Sequence, residues 1–492
     1  MPAISAGRTH FLDTRRLIGS FHLRITPLEW PGVQVQLPNG LQMPEVVHTI
    51  AQMSQDLQKR LRHLGVVKGT RNLKSPPDPA PVPRATFKEE ATGLSELLPG
   101  GQIVETELGS CFVLDYVYPL SHEHGATRLE QFLQIPIAVA GQFSHDERLS
   151  ALTHRDLLFL DTETTGLSGA GTIAFMVGVA FFEAQAFVVR QFFLRDHSDE
   201  PAMLILLAEL LSDRQALVTF NGRSFDVPLL DTRYLMNRLD DRIDDLRRRP
   251  HVDLLPPARR LWRGRLGSCS LSSLEDSLRD INRTHEDVPG WAIPGLYMDY
   301  LRNGDASQLV RVFYHNQIDM LSMVTLAHTI IRQFTRPQDG DEPEDVISLA
   351  RWQMALGMSF EAEENLRQLL LGDIALEAYQ QALIQLAAML KRHDRRSEAV
   401  PLWQQLAVTA FDDVSAHVEL AKYYEWHDIQ LGVALHWTAQ ALSLTSGQDP
   451  EGTNIVVEEL IHRRERLERK IAKEALLARG QRPGTDETDH TL

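Results

Sequence analysis

Residues 158–167 read LFLDTETTGL, and this stretch is the strongest signal in the sequence. The apolar run before Asp161 is typical of a buried strand, and Gly166 lets the chain turn away after it. Alternate residues of a strand point to the same face, so the carboxylates of Asp161 and Glu163 should converge. Two adjacent carboxylates repel each other unless a cation lies between them, and such oxygen ligands favour Mg²⁺ or Mn²⁺.

Two further acidic positions lie later in the chain. Residues 220–228 read FNGRSFDVP, where a buried strand ends and Pro228 fits the first turn of a helix. This puts Asp226 near a helix N-terminus, and taken alone it would be interpreted as an N-cap. Residues 314–319 read YHNQID on a predicted closing helix. His315, four residues before Asp319, faces the same side of that helix, one turn from a candidate metal ligand.

Taken together, these elements resemble the DEDD exonucleases, whose motifs run Asp-x-Glu, Asn-x-x-x-Phe-Asp, and a Tyr or His before a last Asp. The matching positions are Asp161, Glu163, Asn221, Phe225, Asp226 and Asp319. More narrowly, residues 90–335 resemble the YprB-type ribonuclease H-like domain. The supporting stretches are DLLPPARRLW at 253–262, CSLSSLE at 269–275, Pro289-Gly290 and Tyr297.

The resemblance implies an α/β ribonuclease H-like domain at 151–335, a mixed sheet flanked by helices, after a β-rich lead-in at 87–150. It also implies a metal-dependent 3′→5′ exonuclease, in which two ions about 4 Å apart activate a water and stabilise the leaving 3′-oxygen. Asp161 would bridge the ions, Glu163 and Asp319 would hold the attacking-water side, and Asp226 would act partly through water. The implied substrate is a single-stranded or fraying 3′ end of nucleic acid, and the residues expected to contact it are Thr164, Asn221 and Phe225.

One position departs from the family pattern. Family members carry Tyr four residues, or His five residues, before the last Asp, whereas this chain has His315 at four and Tyr314 at five. A residue four before Asp319 is offset by about 40° around a helix, and one five before by about 140°. This geometry favours His315 as the group that accepts the proton of the water or orients it, because histidine exchanges protons near neutral pH. The sequence leaves open whether His315 or Tyr314 does so.

The densest basic run of this domain lies at 247–265 and contains Trp262. Arginines bind the phosphate backbone and an aromatic ring can stack on a base, so Arg259, Arg260 and Trp262 are candidate substrate-binding residues. The alternative is a solvated helix face with Trp262 in the core, and the sequence supports the two equally.

Residues 345–480 change character and become helical, with an internal repeat. Leu386 and Leu420 lie 34 apart, as do Trp403 and Trp437. The spacing resembles tetratricopeptide repeats, as about three degenerate helix pairs near 345–370, 377–409 and 414–443 with a capping helix after them. Stacked pairs of this kind predict an all-α unit that binds a protein partner.

Composition sets further bounds. The 492 residues suggest several domains, and no apolar run is long enough to span a bilayer. Two cysteines argue against a disulfide framework, so we expect a cytoplasmic protein. Residues 75–86 are interpreted as a proline-rich linker and 481–492 as a disordered tail, while the role of 1–74 is unknown. The net charge of −16 means that nucleic acid must meet a local basic patch.

Two other functions compete with the nuclease hypothesis. One is a non-catalytic scaffold whose ribonuclease H-like domain merely holds nucleic acid, which the reversed Tyr–His order and the acidic charge favour. The other is a pure helical-repeat adaptor, which leaves the acidic motifs unexplained. The presence of all four carboxylates favours the metal-dependent nuclease.

Overall fold

A computed structural model describes residues 92–166, 171–278, 281, 283–284, 286–338, 340–410, 413–445 and 455–478. The expectations for 1–74, 75–86 and 481–492 lie outside these residues. Within the described part of the chain, no helix is both long enough and apolar enough to cross a membrane.

A seven-stranded mixed sheet forms the centre of the first part of the protein, in the order β1-β2-β7-β6-β5-β8-β9. The first five strands in this order pair antiparallel, and β8 and β9 continue from β5 in parallel. The strands are β1 (Gln102–Thr106), β2 (Gly109–Pro119), β5 (Leu157–Thr164), β6 (Ala174–Phe182), β7 (Ala186–Phe193), β8 (Ala216–Thr219) and β9 (His251–Asp253). A separate two-stranded ribbon consists of β3 (Glu123–His124) and β4 (Thr127–Arg128).

Helices cover both faces of this sheet. They are α1 (Thr92–Leu97), α2 (Leu129–Phe132), α3 (Ala138–Ser144), α4 (Glu200–Asp213), α5 (Asp226–Met236), α6 (Leu255–Leu266), α7 (Leu271–Leu278), α8 (Ile293–Asn303) and α9 (Leu309–Thr335). The predicted fold class, a mixed sheet flanked by helices, is confirmed.

Two hydrophobic cores lie on opposite faces of the sheet because the central strand is apolar on both. In β5, Leu158 and Leu160 belong to one core, and Leu157 and Phe159 to the other. A strand buried on both faces reads as a continuous apolar run, which is what precedes Asp161. The first polar residue of β5 therefore stands at the point where this double core ends.

The second part of the protein is entirely helical over its described residues, as predicted. Three antiparallel pairs follow one another, and a long helix ends the series. The pairs are α10 (Pro343–Ala355) with α11 (Ser359–Leu369), α12 (Leu376–Arg392) with α13 (Arg396–Thr409), and α14 (Ser415–Trp426) with α15 (Leu431–Thr445); the last helix is α16 (Ile455–Ala478).

Residues at the repeat spacing occupy matching places in successive pairs. Leu386 and Leu420 are fully buried in the first helices α12 and α14, and Ala399 and Ala434 in the second helices α13 and α15. The two alanines, which are small, let the second helix of each pair approach its neighbours closely. The first helix, α10, also packs on α6, where Trp352 enters the core of the sheet.

Candidate metal centre

The geometry of the centre begins on β5, where Asp161 lies directly opposite Gly178 of β6. Any side chain at Gly178 would overlap the carboxamide of Asn316, which reaches over the sheet from α9. Asn316 is fully buried and donates a hydrogen bond of 3.1 Å to Oδ2 of Asp161. It also accepts one of 2.9 Å from Gln191 of β7. Glycine therefore makes the space through which α9 holds the first carboxylate.

The loop after β8 places Asp226. Asp253, at the end of β9, accepts the backbone N–H groups of Asn221 and Arg223 at 2.8 and 3.2 Å. Asn221 has φ +70°, a left-handed conformation that asparagine tolerates well. These contacts fix the start of α5, where Asp226 is buried and accepts a hydrogen bond of 2.5 Å from Oγ1 of Thr162.

The closing helix α9 supplies the last carboxylate and the histidine. His315 and Asp319 face the same side, with 3.4 Å between Nε2 and Oδ2. One ligand atom each from Glu163, His315 and Asp319 all lie within 4.8 Å of one another. Three side chains from two distant segments could thus share one cation.

His315 is oriented by a second carboxylate. Its Nδ1 lies 2.7 Å from Oδ1 of Asp287 and 3.1 Å from Nη1 of Arg283. The contact to Arg283 requires Nδ1 to accept, whereas the contact to Asp287 requires it to donate; the shorter contact, to Asp287, favours a proton on Nδ1. Nε2 then faces Asp319 and Glu163, where it can bind a metal or act as a base when it carries no proton. Tyr314 instead accepts the N–H of Thr284 at 3.2 Å.

Arg283 brings a positive charge to this centre. Its guanidinium donates to both oxygens of Glu275 at 2.7 Å and to Oδ1 of Asp319. A further ion pair of 3.6 Å joins it to Asp287. The side chain is only 11% exposed. Burial alone would lower the pKa of Arg283, but its bonds to Glu275 and Asp319 outweigh this and raise it.

Burial, and for two of them the approach of other carboxylates among the four, raises the pKa values of the four carboxyl groups. Burial raises the pKa of Asp161 and Glu163 well above the usual range, and the neighbouring carboxylates raise them further. Burial also raises the pKa of Asp226 to about 6. The pKa of Asp319 is raised by burial, although His315 and Arg283 act in the opposite direction. The charged form of this cluster is therefore unfavourable with the cations that the protein itself supplies.

This donor set fits a divalent cation. Buried carboxylate oxygens and one imidazole nitrogen are hard or borderline ligands that suit Mg²⁺ or Mn²⁺. A cation between Asp161, Glu163 and Asp319 would offset the burial of their charges and the repulsion that acts on Asp161 and Glu163. The residues present thus match the metal that the resemblance implied.

The candidate substrate-binding residues fall into two sets, one near the acidic residues and one on the helix α6. Thr164 is buried at the end of β5 and donates to the carbonyl of Gly166 at 2.8 Å. Asn221 is exposed and Phe225 is half-buried, and both precede Asp226 in the loop between β8 and α5. All three lie within a few residues of an acidic site residue in the chain.

The basic helix α6 is different. Trp262 is fully buried in the core, so the predicted stacking on a base is wrong, and the alternative that placed it in the core is correct. Arg259 is exposed, while the guanidinium of Arg260 lies 5.5 Å from the ring centre of Trp352 on α10. Among the described residues, no hydrogen bond or ion pair joins α6 to the four carboxylates. Helical periodicity explains the outcome, because Trp262 lies on the apolar side of α6 and the arginines on the other.

Sequence reasoning missed Arg283, Asp287 and Glu275. Glu275 ends the quoted stretch at 269–275 but was given no role there, and no local pattern marks Arg283 or Asp287, whose approach to α9 depends on tertiary structure. Asn316 stood inside the quoted stretch at 314–319 but was not assigned. Its position three residues before Asp319 on a helix, on nearly the same face, was the available signal.

Comparisons with known proteins agree with this geometry. Residues 158–331 match the RNase_H superfamily, which includes nucleases. The chain is also 32% identical to the uncharacterized protein YprB of Bacillus subtilis (strain 168) over 396 residues, which are 79% of this chain and 92% of YprB. The matched superfamily segment contains all four carboxylates, His315 and Arg283. The chain therefore belongs to the YprB family, with an RNase_H superfamily domain at residues 158–331.

Proposed function

We propose that this protein is a metal-dependent 3′→5′ exonuclease that hydrolyses phosphodiesters at a single-stranded or fraying 3′ end of nucleic acid. The observation that carries the proposal is the convergence of buried carboxylates from β5, the start of α5 and α9, with raised pKa values. A cluster of buried groups with the same charge destabilises the folded protein. Such a cluster therefore indicates a functional site. A divalent-cation centre accounts for their placement.

Each residue has a distinct part in the proposed reaction. Asp161, Glu163, Asp226 and Asp319 would hold two Mg²⁺ or Mn²⁺ ions. Bound there, the metal supplies Lewis-acid activation of water and stabilises charge on the leaving 3′-oxygen. His315 takes up the proton of the attacking water at Nε2, while Asp287 retains the proton on Nδ1.

Substrate contacts come from the edge of the centre. We propose that Thr164, Asn221 and Phe225 contact the terminal nucleotide, since they lie beside Asp226 and at the end of β5. The half-buried ring of Phe225 can stack on a base, and the exposed amide of Asn221 can bond to a sugar or phosphate. Arg259 remains a candidate phosphate contact for a longer strand of nucleic acid. Arg260 could make such a contact only if its guanidinium moved away from the ring of Trp352.

A second function is favoured by one observation. Arg283 already pairs with Asp319, so part of the acidic charge is neutralised without a metal. A protein that holds nucleic acid without cleaving it would retain this arrangement. Such a scaffold would bind oligonucleotides but release no product from them in Mg²⁺ or Mn²⁺.

The helical part is proposed to bind a protein partner in the manner of tetratricopeptide repeats. Its helix pairs stack in series, and buried small residues at matching places support the likeness. Several apolar side chains on these helices and their connections remain exposed, among them Phe360, Leu371 and Val408. Exposed apolar side chains are typical of a surface that a partner covers where they form a contiguous patch.

The test uses purified full-length protein with 5′-labelled single strands of DNA and of RNA, in Mn²⁺, in Mg²⁺ and in chelator. The proposal predicts a ladder of progressively shorter labelled products with metal, and none with chelator. Asp161→Asn, which keeps the size of the side chain and removes a ligand charge, should abolish the ladder. Binding without cleavage under all conditions would support the scaffold, and internal cuts would contradict an exonuclease.

A further inference from the structure

Arg283, only 11% exposed, contacts Asp319, one of the proposed metal ligands. Oδ1 of Asp319 accepts from Nη2 of Arg283, while Oδ2 of the same carboxylate faces Nε2 of His315 at 3.4 Å. Both oxygens of Asp319 are thus already in contact with nitrogen atoms of the protein. A metal that uses Asp319 must therefore share this carboxylate with the guanidinium or displace it.

The guanidinium is held independently of Asp319. Nε and Nη2 of Arg283 both lie 2.7 Å from oxygens of Glu275, which is a two-point ion pair. The Glu275 side chain is 3% exposed, so this pair is shielded from solvent. Losing the contact to Asp319 would leave Arg283 anchored, and the guanidinium would remain beside the centre.

From these contacts we propose that Arg283 is a built-in counter-cation that competes with the divalent metal for Asp319 and thereby sets the metal affinity of the centre. Without metal, Arg283 offsets part of the repulsion among the buried carboxylates. When a metal binds, the contact with Asp319 gives way while the pair with Glu275 persists. The inference rests on the proposed metal-dependent function, because it assumes that Asp319 is a metal ligand.

The competition predicts opposite effects for two substitutions. Arg283→Gln removes the competing charge, so Mn²⁺ should bind more tightly, by about tenfold or more, as expected when one unit charge close to an ion is removed from a partly buried site. Glu275→Gln removes the anchor and leaves Asp319 and the more distant Asp287 as the carboxylates that pair with the guanidinium, so Mn²⁺ should bind more weakly. Arg283→Lys keeps the charge and should stay near the wild-type affinity.

Arg311 provides a matched control. It belongs to α9 and bonds to the backbone carbonyls of Glu286 and Asp287, in the same segment that carries Arg283. Arg311→Gln therefore removes one positive charge and loosens the same segment, but leaves Asp319 unchanged. Its Mn²⁺ affinity should change by much less than that of Arg283→Gln.

The measurement is calorimetric titration of Mn²⁺ into each folded full-length variant, without nucleic acid. Tighter binding by Arg283→Gln together with weaker binding by Glu275→Gln is the expected result. Equal or weaker binding by Arg283→Gln would overturn the competition and leave Arg283 a structural residue. If Arg283→Gln does not fold, the comparison of Glu275→Gln with Arg283→Lys decides: weaker binding in the first alone supports the proposal, and equal affinities overturn it.

The Mn²⁺ titrations and the strand-cleavage assay can fail independently of each other. Mn²⁺ binding that follows the predicted order in a protein that cleaves no strand would support the counter-cation and refute the exonuclease. Cleavage by a protein whose Mn²⁺ affinity is indifferent to Arg283 would refute the counter-cation alone. A wild-type chain that binds no Mn²⁺ would refute both.

Discussion

Gly178 of β6 lies directly opposite Asp161 of β5, and the space above this glycine is filled by the carboxamide of Asn316. The absence of one side chain thus allows α9 to approach the sheet and to donate a hydrogen bond to Asp161. The position of the first carboxylate depends on a residue that carries no functional group of its own.

Substitution of this glycine should therefore disturb both stability and activity. Gly178→Ala would force Asn316 away from Asp161, and overpacking of a tight interior typically costs about 1–3 kcal/mol. We expect a lower free energy of unfolding in urea and a large loss of nuclease activity. Gly264→Ala is the control, because the new methyl group meets open space on α6 and should stabilise the helix by about 0.5–1 kcal/mol.

The acidic residues could be predicted from the sequence because their spacing follows the period of a single strand or helix. Asp161 and Glu163 alternate on one strand, Asp226 begins a helix, and His315 and Asp319 lie one helical turn apart, so periodicity alone relates each set. The contacts of Arg283 and Gly178 could not be found this way, because each joins segments that only the tertiary fold brings together. Trp262 shows the converse, since local pattern placed it among arginines while packing placed it in the core.

Asp287 should act on the reaction through His315. Asp287→Asn can donate to Nδ1 from its amide, which would shift the ring proton to Nε2 and remove the acceptor that faces the metal centre. Loss of such a supporting partner typically lowers activity about 10- to 100-fold. We expect kcat for single-strand cleavage to fall with KM nearly unchanged. A change confined to KM would contradict this role.

His315 and Tyr314 are distinguished by a paired substitution. His315→Ala removes the group beside Asp319 and should lower kcat by a factor of about 10² to 10⁴, the usual effect of losing a general base. Tyr314→Phe removes only the acceptor of the Thr284 N–H and should remain within a few-fold of wild type. Near-normal turnover by His315→Ala, beside a large loss in Tyr314→Phe, would reverse the assignment.

Glu425 should make the docking of the last helix sensitive to acid. Its fully buried carboxylate on α14 pairs with Arg463, Arg466 and Lys470 of α16 at 2.9 Å. Burial alone would raise the pKa of Glu425, but the bonds from these cations outweigh it and hold the pKa at about 2. Because the folded-state pKa lies below the ordinary value of 4.5, this stabilisation is present above pH 4.5 and is lost as the pH falls towards 2.

Glu425→Gln should reproduce the acid effect at neutral pH. Charged hydrogen bonds of this kind contribute on the order of 2 kcal/mol, so faster amide exchange in α16 is expected, with the sheet unaffected. Glu468→Gln is the control, because its exposed contact with Arg464 spans 4.0 Å and should contribute little. Equal exchange rates in the two variants would contradict the role of Glu425.

Anomalous diffraction tests whether Asp161, Glu163, Asp226 and Asp319 form a divalent-cation centre. Crystals of the full chain grown with Mn²⁺, measured on both sides of the manganese absorption edge, reveal the metal without any assumption about the substrate. We expect an anomalous peak between Asp161, Glu163 and Asp319, with Arg283 withdrawn from Asp319 and still paired to Glu275. Crystals grown in Mn²⁺ that show no peak there, with Arg283 still bonded to Asp319, would contradict it.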